Sequence, residues 1–246
     1  MAAENITLEA DLASAERGIC SFLDRLDEQL PNPLAKRLSP QERGAELETL
    51  VRKLGHRYVW ATLGNFEVYD EKAQRPVLDC LKAFARNMPE RIAGGAGLIL
   101  FGPTGCGKDH LLAALLKIAV AKHGFTAHWC DGVKLFAESR YAIGEDNEHA
   151  LLRKLTTPQI LALSDPVPPT GALTQFQACL LRDMVDQRYR AGLSTWLLTN
   201  LDQREAAEAA LTGPLLSRLR HNSLQLLCDW GSYRDRTTTL PASDEA

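Results

Sequence analysis

Nine consecutive residues, Gly102-Pro103-Thr104-Gly105-Cys106-Gly107-Lys108-Asp109-His110, contain the spacing GxxxxGK. That spacing suits the chemistry of a triphosphate. Glycines let the backbone curl so that successive N–H groups converge on phosphate oxygens, and the positive end of a following helix adds to their field. Lys108 then offers a point charge to the β- and γ-phosphates. Asp109 stands where a hydroxyl residue ordinarily ligates Mg²⁺. Its carboxylate is either a longer metal ligand or an acid that favours the first turn of a helix. Nucleotide binding is expected to survive this departure, with hydrolysis slowed.

Further residues along the chain suit the same chemistry. The run Ile160-Leu161-Ala162-Leu163-Ser164-Asp165 reads as an apolar strand ending in an acid. Such strands commonly end in two acids, one holding Mg²⁺ and one polarising the attacking water. With Ser164 in the first place, one arrangement gives Asp165 to the water and makes Asp109 the metal's carboxylate. A second makes Asp165 the metal ligand and leaves no base, and a third makes it a strand-end residue capping a turn. The strand Ser194–Asn200 ends in a polar residue that could report the γ-phosphate or position water. In Pro214-Leu215-Leu216-Ser217-Arg218-Leu219-Arg220, Arg218 suits a finger offered to a neighbouring subunit's γ-phosphate, or simply a basic helix end.

These residues need a sheet edge to bring them together. Five short apolar runs, Gly97–Gly102, Thr126–Asp131, Gln159–Asp165, Leu193–Asn200 and Ser223–Trp230, alternate with helical patterns at Lys108–His123, Gly132–Ile143, Thr174–Arg190 and Asp202–Leu211. Near-continuous apolar strands separated by helices predict a doubly wound parallel α/β sheet covered on both faces. Ahead of it, Leu8, Leu12, Ala15, Ile19, Leu23, Leu26 and Leu30 form one face of a helix opposite an acidic face. Ser39 and Glu42 predict a capped second helix from Pro40 to Leu54. Three segments are expected: a helical N-terminal region over residues 1–60 that either binds a partner or packs on the main domain, a nucleotide-binding domain over 61–234, and a polar tail over 235–246.

With 246 residues and a formal net charge of −3, the chain can bury a substantial core, but its overall field would not attract nucleic acid. Six scattered cysteines without a CxxC pair, and six scattered histidines, give no zinc spacing and fit reduced thiols in a cytoplasmic setting. The polar, acidic start MAAENITLEA is not a signal peptide, and no apolar run reaches a membrane span.

In this order, the motifs resemble the AAA+ group of DnaC-type helicase loaders and IstB-type transposition ATPases. The resemblance runs from Thr62-Leu63-Gly64-Asn65-Phe66 to Trp230-Gly231-Ser232-Tyr233-Arg234. It implies an AAA+ P-loop fold and a protein that uses ATP and Mg²⁺. TLGNF would wrap the adenine, Asn200 would serve as first sensor, Arg218 as finger and Arg234 as second sensor. It also implies a replicative helicase or transposase as partner, single-stranded DNA on a positive inner surface, and a homo-oligomer formed on ATP and DNA. Lys134, Phe136, Arg140, Tyr141, Arg188 and Arg190 are the DNA candidates, although Phe136 also suits a core and single arginines are usually solvated. Where the group carries GK[ST] and Asp-Asp or Asp-Glu, this chain has Lys108-Asp109 and Ser164-Asp165, which puts the rate of hydrolysis in question.

Overall fold

Ser39 accepts a hydrogen bond from Glu42 N while Glu42 Oε2 accepts from Ser39 N, so two free donors at a helix start are satisfied reciprocally. They open α1 (Pro40–Leu54), the helix expected from that pair. The structure is a computed structural model and describes residues 34, 36–145, 147–167, 173–200, 211 and 213–236. The amphipathic stretch before residue 31 and the helical pattern at 202–210 lie outside those residues, as does the tail beyond Arg236.

Helix α1 packs against α4 (Lys108–Ala121) and β2 (Ala127–Asp131). Arg43 donates to the carbonyls of Leu38 and Lys122, and Glu46 accepts from Ala127 N at 3.0 Å. The compact unit therefore opens at Arg37, and α1 belongs to it rather than to a separate module ending near residue 60.

All five expected strands form: β1 (Leu98–Phe101), β2, β3 (Ile160–Ser164), β4 (Ser194–Thr199) and β5 (Leu224–Leu227). They are parallel, in the order β2-β3-β4-β1-β5. Strands β1, β3 and β4 are buried throughout, which is why they read as unbroken apolar runs. Strand β5, at the sheet edge, is shorter than its apolar run; beyond it, Cys228 N still donates to Phe101 O.

Helices α5 (Gly132–Gly144), α7 (Gln175–Arg190) and α8 (Gly213–Arg220) flank the sheet, and α9 (Tyr233–Arg236) is a single turn beyond β5. Four helices, counted among the described residues, have no counterpart in the expected pattern: α2 (Glu71–Arg86), α3 (Met88–Ala93), α6 (Glu148–Thr156) and the single turn α9. The signal for α2 was present. Asp70 caps it by accepting from Lys72 N and Ala73 N, and Val77, Leu78, Leu81, Phe84 and Ala85 are its buried face. Pro76 and a polar opening turn disguise that spacing.

Two DNA candidates prove to be interior. Phe136 belongs to the apolar cluster beneath the sheet. Arg188 is fully buried, donating to the carbonyls of Leu155, Pro158, Gln159 and Ser194 and to Thr195 Oγ1. Neither side chain can reach a strand of DNA. Lys134, Arg140 and Tyr141 are exposed on α5, and Arg190 is exposed but paired with Asp186 at 2.8 Å. Among the described residues, no helix is long and apolar enough to cross a membrane.

Candidate nucleotide-binding site

Strand order decides what meets at the sheet edge. Strand β4 lies between β1 and β3, with Phe101 opposite Thr199 and Ser164 opposite Leu198. Residues just past these ends, Gly102, Asn200 and Asp165, therefore emerge side by side. Lys108, opening α4, joins them: its ammonium donates to Gly102 O and Pro103 O, both at 2.7 Å, and to Asn200 Oδ1 at 3.1 Å. The lysine is buried and holds its own loop closed with groups that a phosphate could replace.

The cradle has the conformation its glycines make possible. Gly105 has φ +87° and Gly107 has φ +93°, values that alternate the peptide planes as an anion-binding nest requires. Both are also closely covered. A Cβ on Gly105 would meet Ser232 Oγ at 2.3 Å, and one on Gly107 would meet Phe66 Cε2 at 2.9 Å. The covering residues come from the two ends of the motif series. Trp230 Nε1 donates to Cys106 O at 2.7 Å, and Tyr233 N donates to Gly105 O at 3.0 Å. Phe66 stands edge-on to His110, Trp230 and Tyr233, with ring centroids 5.6, 6.3 and 5.5 Å away. His110 Nε2 lies 2.9 Å from Thr62 O, which ties TLGNF to the cradle helix.

Between these walls lies a cleft of ≈ 330 Å³. Thr104, Lys108 and Asp109 line its phosphate end; Asn65, Phe66 and Tyr233 line its aromatic end. Arg234 is exposed at its rim. The volume falls within the ordinary range for ligand pockets, with a cationic end and an aromatic end as a nucleotide needs.

The acids sit at the phosphate end. Ser164 Oγ donates to Asp109 Oδ1 at 2.9 Å. Asp165 adopts a left-handed φ of +47°, and its Oδ1 is buried without a hydrogen-bond partner among the described residues. Burial pushes the Asp165 carboxyl above the usual carboxylate range and Asp109 pushes it further, while Lys108 and Asn200 hold it back. Two carboxylates side by side, one with an unmatched oxygen, make a site that a cation would relieve. Among the described residues, no three His, Cys, Asp or Glu side chains form a metal site by themselves. Asp109 and Asp165 offer the one or two carboxylates that Mg²⁺ takes when water and phosphate oxygens complete its shell.

Arg218 lies elsewhere. Its Nε pairs with Asp186 Oδ1 at 2.6 Å, and its Nη1 donates to Pro214 O. It does not line the cleft of its own chain. The fold thus brings Gly102–His110, Asp165, Asn200 and Arg234 together and leaves Arg218 outside.

Several site residues escaped sequence reading. Gln74 is fully buried; its Oε1 accepts from Tyr69 N and Asp70 N, and its Nε2 donates to Tyr233 OH at 2.8 Å. Tyr69 OH donates to Gly231 O, and Tyr233 OH to Glu67 O. A buried glutamine beside an acidic cap carries no local signal, because its partners lie far along the chain. The Cys106 thiol, inside the cradle, is held below the usual thiol range by Cys228 and by Lys108, against the effect of burial.

Known proteins resemble this chain in sequence and in fold. A family model described as IstB-like ATP binding protein matches residues 7–240. The replicative helicase loader DnaC of Buchnera aphidicola subsp. Acyrthosiphon pisum is 26% identical over 200 residues, covering 79% of this chain and 78% of its own length. A Mycobacterium tuberculosis protein named as an ATP-binding protein in an insertion sequence is 27% identical over 236 residues, 94% of this chain and 88% of its own. Among solved structures, the DnaC helicase loader superposes with a TM-score of 0.63 at 24% identity, covering 70% of this chain and 99% of that one. DnaA bound to AMPPCP and single-stranded DNA gives a TM-score of 0.56 at 17% identity, covering 70% and 50%. At these identities the structures establish a common fold.

Proposed function

Because the chain belongs to the IstB-like ATP binding protein family, we propose that it is an ATP-controlled AAA+ protein of DNA replication that delivers a replicative helicase to single-stranded DNA. The observation that supports this most is the continuity of the cleft. One wall is the phosphate cradle, the next the acid strand and Asn200, and the third a set of aromatic residues drawn from both ends of the domain. A nucleotide in such a cleft touches three segments that are distant in sequence, so its presence can bias all of them together.

In this reading Lys108 leaves its own carbonyls for the β- and γ-phosphates, freeing Asn200 to orient water near the terminal phosphate. Asp165, whose environment favours proton uptake, accepts the proton of that water. When bound, Mg²⁺ supplies neutralisation of phosphate charge. Arg218 would leave Asp186 to reach a neighbouring subunit's nucleotide, coupling ATP to assembly. DNA would track Lys134, Arg140 and Tyr141, the exposed basic and aromatic residues of α5.

A fluorescent ATP analogue with Mg²⁺ tests the core of this reading. Lys108→Ala should weaken binding by about 10- to 100-fold, the loss of a charge-assisted contact. Binding of single-stranded DNA should rise with ATP and fall steeply with salt. A protein that binds no adenine nucleotide with Mg²⁺ present would end the proposal.

A second reading, an ATPase that assists a transposase, is favoured by the reach of the insertion-sequence relative, which aligns with 94% of this chain against 79% for the Buchnera loader. Pull-down with a purified replicative helicase against a purified transposase decides between the two.

A further inference from the structure

P-loop sites ordinarily hold Mg²⁺ with a hydroxyl on the residue after the cradle lysine and a carboxylate at the end of the acid strand. Here the residue after Lys108 is Asp109, the end of the strand is Ser164, and Ser164 Oγ donates to Asp109 Oδ1 at 2.9 Å. We infer that Asp109 and Ser164 are a reciprocally exchanged metal pair, with the carboxylate delivered from helix α4 and the hydroxyl from strand β3. The inference deepens the nucleotide-binding reading and rests on it.

Three observations carry it. First, the hydrogen bond puts both oxygens at one locus, so the exchange keeps one carboxylate and one hydroxyl where the phosphates end. The net charge met by the triphosphate is unchanged. Second, Asp165 Oδ1 is buried and unmatched beside this pair, so the locus is short of positive charge rather than of acid. Third, the carboxylate on the neighbouring strand is already tied to a helix start. Asp131 lies opposite Ser164 in register, but its Oδ1 caps α5 by accepting from Val133 N and Lys134 N. With Asp109 on the metal, Asp165 is left for water, the first of the three arrangements open in the sequence.

The consequence runs against motif-based repair. Restoring the usual hydroxyl with Asp109→Thr alone removes the only carboxylate of the pair. Installing the usual acid with Ser164→Asp alone sets two carboxylates at hydrogen-bond distance. Only the double substitution restores a complementary pair, in which the helix supplies the hydroxyl donor and the strand the accepting carboxylate.

The test measures affinity for a fluorescent, non-hydrolysable ATP analogue in Mg²⁺ and in EDTA, with thermal melting of each protein in EDTA. For the wild type, Mg²⁺ should tighten binding by about tenfold or more, the effect of one charge-assisted ligand. Asp109→Thr should bring that ratio to about one while binding in EDTA persists, since the cradle is intact. Ser164→Asp should melt below the wild type, and Asp109→Thr/Ser164→Asp should recover both the melting temperature and the Mg²⁺ ratio. An Asp109→Thr protein that keeps the full ratio overturns the inference, leaving Asp109 as a first-turn acid. So does a double variant no better than either single one. If the wild type binds no analogue in either condition, the nucleotide reading itself falls, which is a different result.

Discussion

Two buried cations stand at opposite ends of one sheet. Lys108 lies at the carboxyl ends of the strands, Arg188 at the amino ends of β3 and β4, and carbonyl oxygens surround both. The resemblance ends there. Arg188 spreads a rigid fork over four carbonyls and Thr195 Oγ1, all on helices and strands of the scaffold or the turns that join them. Lys108 rests on a glycine loop and Asn200, next to an acid with an unmatched oxygen. A buried charge whose surroundings are complete is scaffold. One whose surroundings are complete only provisionally is machinery.

The largest effect should come from breaking the scaffold cation. Arg188→Leu removes the buried donor to the carbonyls of Leu155 and Pro158, while Gln159 O keeps Ser194 N, so it should cost about 3–5 kcal/mol of stability, the usual result of removing one side of a buried charged network. Melting should fall by roughly 2–4 °C for each kcal/mol in a domain of this size. Arg188→Lys should rescue little, because an ammonium cannot reproduce the fork. Nucleotide affinity of the folded fraction should not change. A variant melting with the wild type would erase the contrast.

Lys108→Ala should give the reverse pattern. Its nucleotide affinity drops by about 10- to 100-fold, while stability falls by no more than about 1–3 kcal/mol, because a flexible loop can reorganise around the lost donor. Calorimetry of the free protein, run beside the binding assay, separates the two.

The two cations also show how far the sequence could be read. Lys108 was legible because strand, glycines, lysine and helix are contiguous, so local chemistry already specifies a phosphate nest. Strands β1, β3 and β4 were legible because burial on both faces leaves an unbroken apolar run. Arg188 was misassigned to DNA because a helix-end arginine looks the same in sequence whether it faces solvent or carbonyls brought from residues 155–159 and 194. The aromatic wall was half legible: TLGNF and WGSYR stood out as motifs, but their packing on the cradle depends on contacts across the chain, such as Trp230 to Cys106. Gln74 left no trace, since only its fold partners give it meaning. The Asp109–Ser164 hydrogen bond likewise joins residues 55 positions apart.

Asp165 sharpens the contrast on the machinery side. Its folded carboxyl titrates above its ordinary value of 3.8, so the folded state holds that proton more tightly than the unfolded chain. Its contribution to stability is therefore lost as pH rises through that window, and at neutral pH the ionised group opposes folding. Asp165→Asn should abolish turnover yet raise the melting temperature of the nucleotide-free protein, by roughly 2–4 °C for each kcal/mol relieved. Added Mg²⁺ with nucleotide should narrow the gap. A lower melting temperature for Asp165→Asn would mean that the acid is structural.

The smallest effect near neutrality, and the one opposite in sign, belongs to His128 on β2. It is buried beside cations: Lys53 Nζ lies 2.7 Å from its Nδ1, with Lys154 and Arg188 near. Burial, then those charges, push its pKa from 6.5 down to about 3. The folded state therefore keeps the ring neutral, with Nδ1 accepting from Lys53, while the unfolded chain takes up a proton below pH 6.5. The stability this neutrality contributes is present above that pH and is lost as pH falls towards 3, by at most about 1.4 kcal/mol per pH unit. His128→Gln keeps an acceptor without a titrating ring, so its stability should fall less steeply between about pH 6.5 and pH 5. Nucleotide affinity at neutral pH should be the same for both proteins, since His128 belongs with Arg188 rather than with Lys108. Parallel acid profiles for wild type and variant would show that the ring is not held neutral.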